Sequence, residues 1–161
     1  VDEIIARLAR GENAALVTDA GTPGISDPGG VLVKKVIEQC GEKVKVEPIP
    51  GPCAAIAALS ISGLPTNKFV FMGFPPHKKG RQAFWKQLVA CEETVVFYES
   101  PHRIIKALTE LQNMLGVRQI VVCRELTKMF ESIYRGTIEE VLKQVQNAPQ
   151  KGEYVVVIGP A

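Results

Sequence analysis

Short apolar runs alternate with amphipathic stretches along the whole chain, which is the pattern of an α/β protein. The runs predict strands at 14–18, 44–48, 69–73, 94–98, 119–123, 132–135 and 154–158. Between the first two, Leu32, Val33, Val36, Ile37 and Cys40 recur at helical spacing. Asp27 is the expected N-cap of that helix, Pro28 its first residue and Gly41 its stop. Ser100 and Pro101 are expected to open a helix carrying Ile104, Ile105, Leu108, Leu111 and Leu115, which Gly116 closes. Thr137, with Glu140 three residues later, forms a capping box ahead of Val141, Leu142 and Val145.

The turn-rich stretch 62–67 is the expected lobe boundary. It divides residues 1–66, with two parallel strands, from residues 67–161, with five. The 132–135 run follows 119–123 closely enough to return antiparallel, so the second lobe is expected to hold a mixed sheet. Ile4, Ile5 and Leu8 share a helical face at the very start, and the first residue is Val1 rather than Met, so a fragment of a longer chain is expected. No internal repeat or low-complexity tract is present.

Composition narrows the class. Of 161 residues, 46% are hydrophobic and 22% charged, which excludes disorder. A chain of this size buries roughly 70% of its unfolded surface and needs no disulfide or metal to hold a core. The longest apolar run, Val155 to Ile158, falls far short of the roughly 20 residues that cross a bilayer. A soluble protein is therefore expected, with the cytoplasm as its location and no membrane partner. Cys40, Cys53, Cys91 and Cys123 stand apart, with no C-x-x-C pair and no histidine cluster, so reduced thiols and no metal site are expected. Net charge is only +2, but basic residues gather at Lys78, Lys79 and Arg81 and again at Arg103 and Lys106. A polyanion would meet a local patch, not a global field.

Candidate chemistry sits at the strand-to-helix junctions, where ligands bind in open sheets. The loop Asp19-Ala20-Gly21-Thr22-Pro23-Gly24-Ile25-Ser26-Asp27-Pro28-Gly29-Gly30 reads either as a tight turn capped by Asp27 or as a ligand loop, and spacing leaves both open. It lacks the Gly-Lys-Ser/Thr of a phosphate loop, and its two acids would repel phosphate. Pro50-Gly51-Pro52-Cys53-Ala54 is a second such loop, with Cys53 a small lining side chain rather than a nucleophile, because no histidine lies near it in sequence. At 97–103, Glu99, His102 and Arg103 read as an acid–base or anion site, or as a helix start with a solvated first turn. The basic loop 75–81 precedes Phe84 and Trp85 and suits a nucleic-acid backbone, or is a solvated loop with no partner. Arg124-Glu125-Leu126-Thr127-Lys128 ends a further strand.

At these five segments the chain resembles the tetrapyrrole methylase family. The matching stretches are D-A-G-T-P-G-I-S-D-P-G at 19–29, P-G-P-C-A at 50–54, G-F-P-P-H-K-K-G-R at 73–81, F-Y-E-S-P-H-R at 97–103 and R-E-L-T-K at 124–128. Within the family they resemble the branch that methylates the ribose 2′-hydroxyl of cytidine in bacterial small-subunit (16S) ribosomal RNA. The resemblance implies two α/β lobes, S-adenosylmethionine folded into the cleft between them, a homodimer, and ribosomal RNA or the 30S subunit as partner. It implies that Gly21, Thr22, Pro23 and Ile25 line the methionine side and that Cys53 and Ala54 flank the cofactor. Tyr98, Leu126, Glu153 and Tyr154 would close its adenosine side.

Lys78, Lys79, Arg81, Arg103 and Lys128 would hold RNA. In that chemistry a ribose hydroxyl attacks the sulfonium methyl without a metal. Glu99 and Glu125 are the candidate bases, with positioning alone as the alternative. Two other readings stay open. A tetrapyrrole carbon methyltransferase is one, and the basic loop counts against it. An RNA-binding fragment without activity is the other, because the strand and loop that begin family members do not precede Val1, which leaves a truncated N-terminal lobe.

Overall fold

The computed structural model describes residues 1–161. Five apolar runs pair into one sheet: β1 (Phe69–Phe71), β2 (Thr94–Glu99), β3 (Ile120–Arg124), β4 (Ser132–Gly136) and β5 (Tyr154–Ile158), in the order β1-β2-β5-β3-β4. Only β1 and β2 are parallel; the other pairs are antiparallel, with β4 returning along β3 as the short connection requires. Because β5 runs antiparallel between β2 and β3, those two strands end at the same side of the sheet. Glu99 on β2 and Arg124 on β3 are both in register with Tyr154.

Side chains alternate across a sheet, so each strand serves two layers. Val95 and Phe97 of β2, Ile120 and Val122 of β3, and Tyr154, Val156 and Ile158 of β5 are buried in one cluster with three helices. These are α4 (Arg81–Val89), α5 (Ile104–Gln112) and α6 (Ile138–Gln146), which contribute Trp85, Leu108, Leu111 and Val141. The opposite face carries Val96 and Tyr98, and there the amide of Ala55 in α3 (Ala54–Ser62) donates to the Tyr98 hydroxyl. The capping box at Thr137 forms as expected: its hydroxyl accepts from the Glu140 amide, and Glu140 accepts from the Thr137 amide.

The chain packs as two compact units, Val1–Cys53 and Ala54–Ala161. The division precedes the expected boundary at 66/67, because α3 buries Ala55, Ala58 and Leu59 within the second unit rather than the first. The first unit contains α1 (Asp2–Ala9), α2 (Gly30–Cys40) and a single 3₁₀ turn (Gly41–Lys43). Ile5 and Val36 are its buried apolar side chains.

Three expectations are corrected. Residues 14–18 and 44–48 form no strand, since neither has a ladder partner, and Leu16, Val17 and Val46 stay exposed. The parallel strands expected of residues 1–66 are thus absent, and an unpaired strand gains neither hydrogen bonds nor burial. The N-cap of α2 is Gly29, not Asp27: Gly24 and Ser26 have positive φ, which turns the chain through Asp27, and the Gly29 carbonyl accepts the first helical bonds. Likewise α5 starts after Arg103, because the Ser100 carbonyl first closes a turn with the Arg103 and Ile104 amides, and it ends at Gln112, before Gly116. Gly41 does stop α2, at φ 53°. No helix is long and apolar enough to cross a membrane.

Replacing Thr137 with Ala removes the hydroxyl of the capping box and is expected to lower stability by about 1 kcal/mol. A fall in the urea midpoint with an unchanged slope checks this.

Candidate functional site

In the first unit the two glycine-rich loops meet. The Thr22 hydroxyl donates to the Pro52 carbonyl at 3.0 Å. Gly21 sits at φ 74°, where a side chain is strained, and a Cβ there would lie 3.8 Å from that same carbonyl. A Cβ on Gly51 would lie 4.0 Å from the Thr22 hydroxyl. Both glycines thus lie where the two loop backbones approach each other. Asp27 makes no cap hydrogen bond, which removes the capping alternative for this loop. Pro23 is half-buried beside Thr22, Ile25 remains exposed, and Cys53 is half-buried.

In the second unit, Tyr98 and Glu99 are neighbours on β2 and therefore point to opposite faces. Tyr98 accepts from the Ala55 amide at 3.2 Å, one residue beyond Ala54, and packs its ring against Phe71 and Phe74 at centroid distances of 5.0 and 5.4 Å. Glu99 is fully buried on the helical face. Its Oε1 accepts from the Ser100 amide at 2.7 Å and forms an ion pair with Arg103 at 2.9 Å, while Arg81 lies 3.7 Å from Oε2. Arg81 also donates to Glu110 at 2.7 Å, as the Trp85 indole does, and its guanidinium lies 4.8 Å from the Trp85 ring centroid. Further bonds run from Arg103 to the Pro75 carbonyl and from Arg81 to the Pro76 carbonyl, each at 3.1 Å.

This geometry bears on two expectations. Glu99 is buried beside two arginines and a backbone amide, which argues against it as the base. Arg81 and Arg103 are spent on internal partners and are not open phosphate contacts. Trp85 is buried. What the loop exposes is His77, Lys78 and Lys79. His102 and Lys106 are exposed as well, and Lys106 lies 4.0 Å from the same Glu110 that binds Arg81.

The turn after β3 is strained: Glu125 and Thr127 occupy the left-handed region at φ 51° and 64°. Non-glycine residues there cost of order 1 kcal/mol or more each and cluster where function needs a fixed backbone. Glu125 accepts from the Glu153 amide at 2.9 Å and from Lys128 at 3.0 Å. The backbone bond from Glu153, then the Lys128 ammonium, hold its carboxyl below the ordinary glutamate range. Such a carboxylate is a weakened proton acceptor, which argues against Glu125 as the base. Lys128 bridges Glu153 at 2.8 Å and Glu125, and these partners raise its proton affinity while neutralising its charge toward RNA.

Among the remaining expected cofactor residues, Leu126 is half-buried and Glu153 exposed. Tyr154 is buried on the helical face, in register with Glu99, and burial pushes its hydroxyl's pKa up. Tyr98 and Tyr154 therefore face opposite layers and cannot line one side of a cofactor together. Sequence reading missed Glu110, the shared partner of Arg81 and Trp85. It lies seven residues after Arg103, two helical turns on, and Trp85 lies four after Arg81; both spacings put side chains on one helical face.

Comparison with known proteins follows the motifs. The model for Tetrapyrrole (Corrin/Porphyrin) Methylases matches residues 1–142. The chain belongs to the tetrapyrrole methylase family. A curated relative, the ribosomal RNA small subunit methyltransferase I of Synechocystis sp., is 46% identical over 99% of the chain. The chain spans 57% of that relative's length. Tetrapyrrole methylase folds are also its structural neighbours. The methyltransferase CobJ superposes with a TM-score of 0.69 at 20% identity, covering 99% of this chain and 70% of that one. Uroporphyrin-III C-methyl transferase from Thermus thermophilus, solved in complex with S-adenyl homocysteine, gives 0.62 at 19% identity over 96% of this chain and 70% of its own.

Because Glu125 titrates below its ordinary range, it adds stability that is complete above the unfolded glutamate pKa and disappears as pH falls through the lower folded value. Lys128→Ala is expected to move the Glu125 midpoint upward while the Glu153 amide still keeps it below that of a free glutamate. Carboxyl-carbon NMR titration of wild type and variant checks the shift.

Proposed function

We propose that the protein is an S-adenosylmethionine-dependent methyltransferase that acts on a ribose 2′-hydroxyl of cytidine in small-subunit (16S) ribosomal RNA. The observation that carries this reading is the identity, nearly half of all positions across nearly the whole chain, to a relative named as a small-subunit ribosomal RNA methyltransferase. The exposed lysines of the 75–80 loop support it over a tetrapyrrole substrate, which has far fewer anionic groups along its length than an RNA backbone. The reading includes a cytoplasmic location, a homodimer, and RNA or the assembled 30S subunit as substrate.

Bound S-adenosylmethionine would supply an electrophilic methyl group on a sulfonium. The chain's own part is to hold and orient. The meeting of the loops at Gly21, Thr22 and Gly51 suits a small ligand that must approach backbone closely, and we place the methionine portion there. Lys78 and Lys79 would meet phosphates flanking the target ribose. With Glu99 enclosed and Glu125 neutralised by its partners, alignment of the hydroxyl on the methyl group is the main source of rate, and solvent takes the proton.

The full-length protein, incubated with labelled S-adenosylmethionine and 30S subunits, is expected to yield 2′-O-methylcytidine by mass spectrometry of digested RNA. Label that enters only a tetrapyrrole would overturn the reading. Thr22→Trp should abolish cofactor binding in calorimetry while circular dichroism stays unchanged. Lys78→Ala combined with Lys79→Ala should flatten the salt dependence of RNA affinity by about 1.5 log units per log unit of salt, the share of two phosphate contacts.

A further inference from the structure

The buried ion lattice at the end of β2 does something neither the motif nor the fold requires: it grips a loop by its carbonyls. Proline has no backbone N–H, so the Pro75-Pro76 step can donate nothing to a ladder or turn. Its hydrogen bonds can run only through its carbonyl oxygens, and both are taken. Arg103 donates to the Pro75 carbonyl and Arg81 to the Pro76 carbonyl, each at 3.1 Å. Both guanidiniums converge on Glu99, whose side chain has no exposed surface. Glu110 fixes Arg81 from the other side. Immediately beyond the two gripped carbonyls come His77, Lys78 and Lys79, all exposed, before Gly80 turns into α4 at φ 86°.

We propose that Glu99 is a positioning residue: through Arg81 and Arg103 it clamps the 75–76 backbone and thereby presents Lys78 and Lys79 to RNA in one fixed arrangement. This rests on the RNA reading above for its partner, though not for the clamp itself. Without the carboxylate, Arg103 loses its ion-pair partner and Arg81 keeps Glu110 alone, so two guanidiniums are left beside an apolar strand end with one counter-charge between them, a state that proteins relieve by moving the groups apart. The carbonyls they hold would then be released and the loop would open. A ligand for a mobile loop binds more weakly in proportion to the fraction of time the loop is correctly placed, so the loss falls on RNA binding and not on the methyl-transfer step.

The test uses the full-length enzyme with Glu99→Gln and, in parallel, Arg103→Lys, which keeps a positive charge beside Glu99 but cannot bond Ser100, Pro75 and Glu99 together. Arg103→Lys carries the test if Glu99→Gln melts far below wild type. Limited trypsin digestion reads the clamp directly, since Lys78 and Lys79 are themselves cleavage sites. Nicking there is expected to rise roughly tenfold in both variants, tracking the open population. The KM for RNA should rise by about the same factor while kcat at saturating RNA stays within about threefold, and cofactor affinity should not change.

Unchanged nicking in both variants would overturn the clamp. A fall in kcat of about 100-fold with KM for RNA intact would instead make Glu99 a general base. Increased nicking with no change in KM would overturn the loop's role toward RNA. Failure of the underlying RNA reading is seen separately, as wild-type enzyme that methylates no RNA.

Discussion

Successive residues of a strand point to opposite sides of a sheet, and at the end of β2 this rule divides two tasks between adjacent side chains. Tyr98 faces α3, where it holds the first turn of that helix through the Ala55 amide. Glu99 faces α4 and α5, where it gathers two arginines. A one-residue slip in the pairing of β2 with β5 would exchange them, placing an acid against the apolar α3 and a phenol among the guanidiniums. The register Glu99 to Tyr154 is fixed by the apolar residues on both faces, so the chemistry at the strand end is set by the packing of the whole sheet.

The charges within that layer are costly to bury and are retained only because nearly every one has a partner. Carrying a carboxylate and two guanidiniums out of water exacts several kcal/mol per ion before any attraction is counted. Here the return comes from several partners at once: Glu99 accepts from a backbone amide and pairs with Arg103, Arg81 shares Glu110 with Trp85, and both arginines donate to carbonyls. The turn after β3 shows the same economy with strain in place of burial. Glu125 and Thr127 are held in the left-handed region by the Glu153 amide and by Glu131. Gly152 is required beside them, since a Cβ there would collide with the Glu125 side chain.

Much of this was legible in the sequence. The five strands of the second unit, the antiparallel return of β4 and the Thr137 capping box follow from periodicity and local cap chemistry, which depend on neighbours in sequence. The strands expected at 14–18 and 44–48 were not, because a strand exists only with a partner and the partner is not written in its own residues. For the site, the five loops were readable as loops, and the meeting of Thr22 with Pro52 follows from their similar position. The roles of individual charges were not readable. Arg81 and Lys79 look alike two positions apart, yet one lies on the buried side of a helix start and the other in water. Only the helical spacing of Arg81 to Trp85 and of Arg103 to Glu110 hinted at the difference.

The grip on Pro75 and Pro76 acts on carbonyl oxygens, which every amino acid carries. Its strength is therefore indifferent to the side chains of the residues that follow. Under the proposed RNA reading, rigidity and recognition are encoded in separate places, one in the strand and helices, the other in the loop's own letters. A loop built this way can exchange its lysines for other groups, and so change what it greets, without loosening its attachment to the sheet.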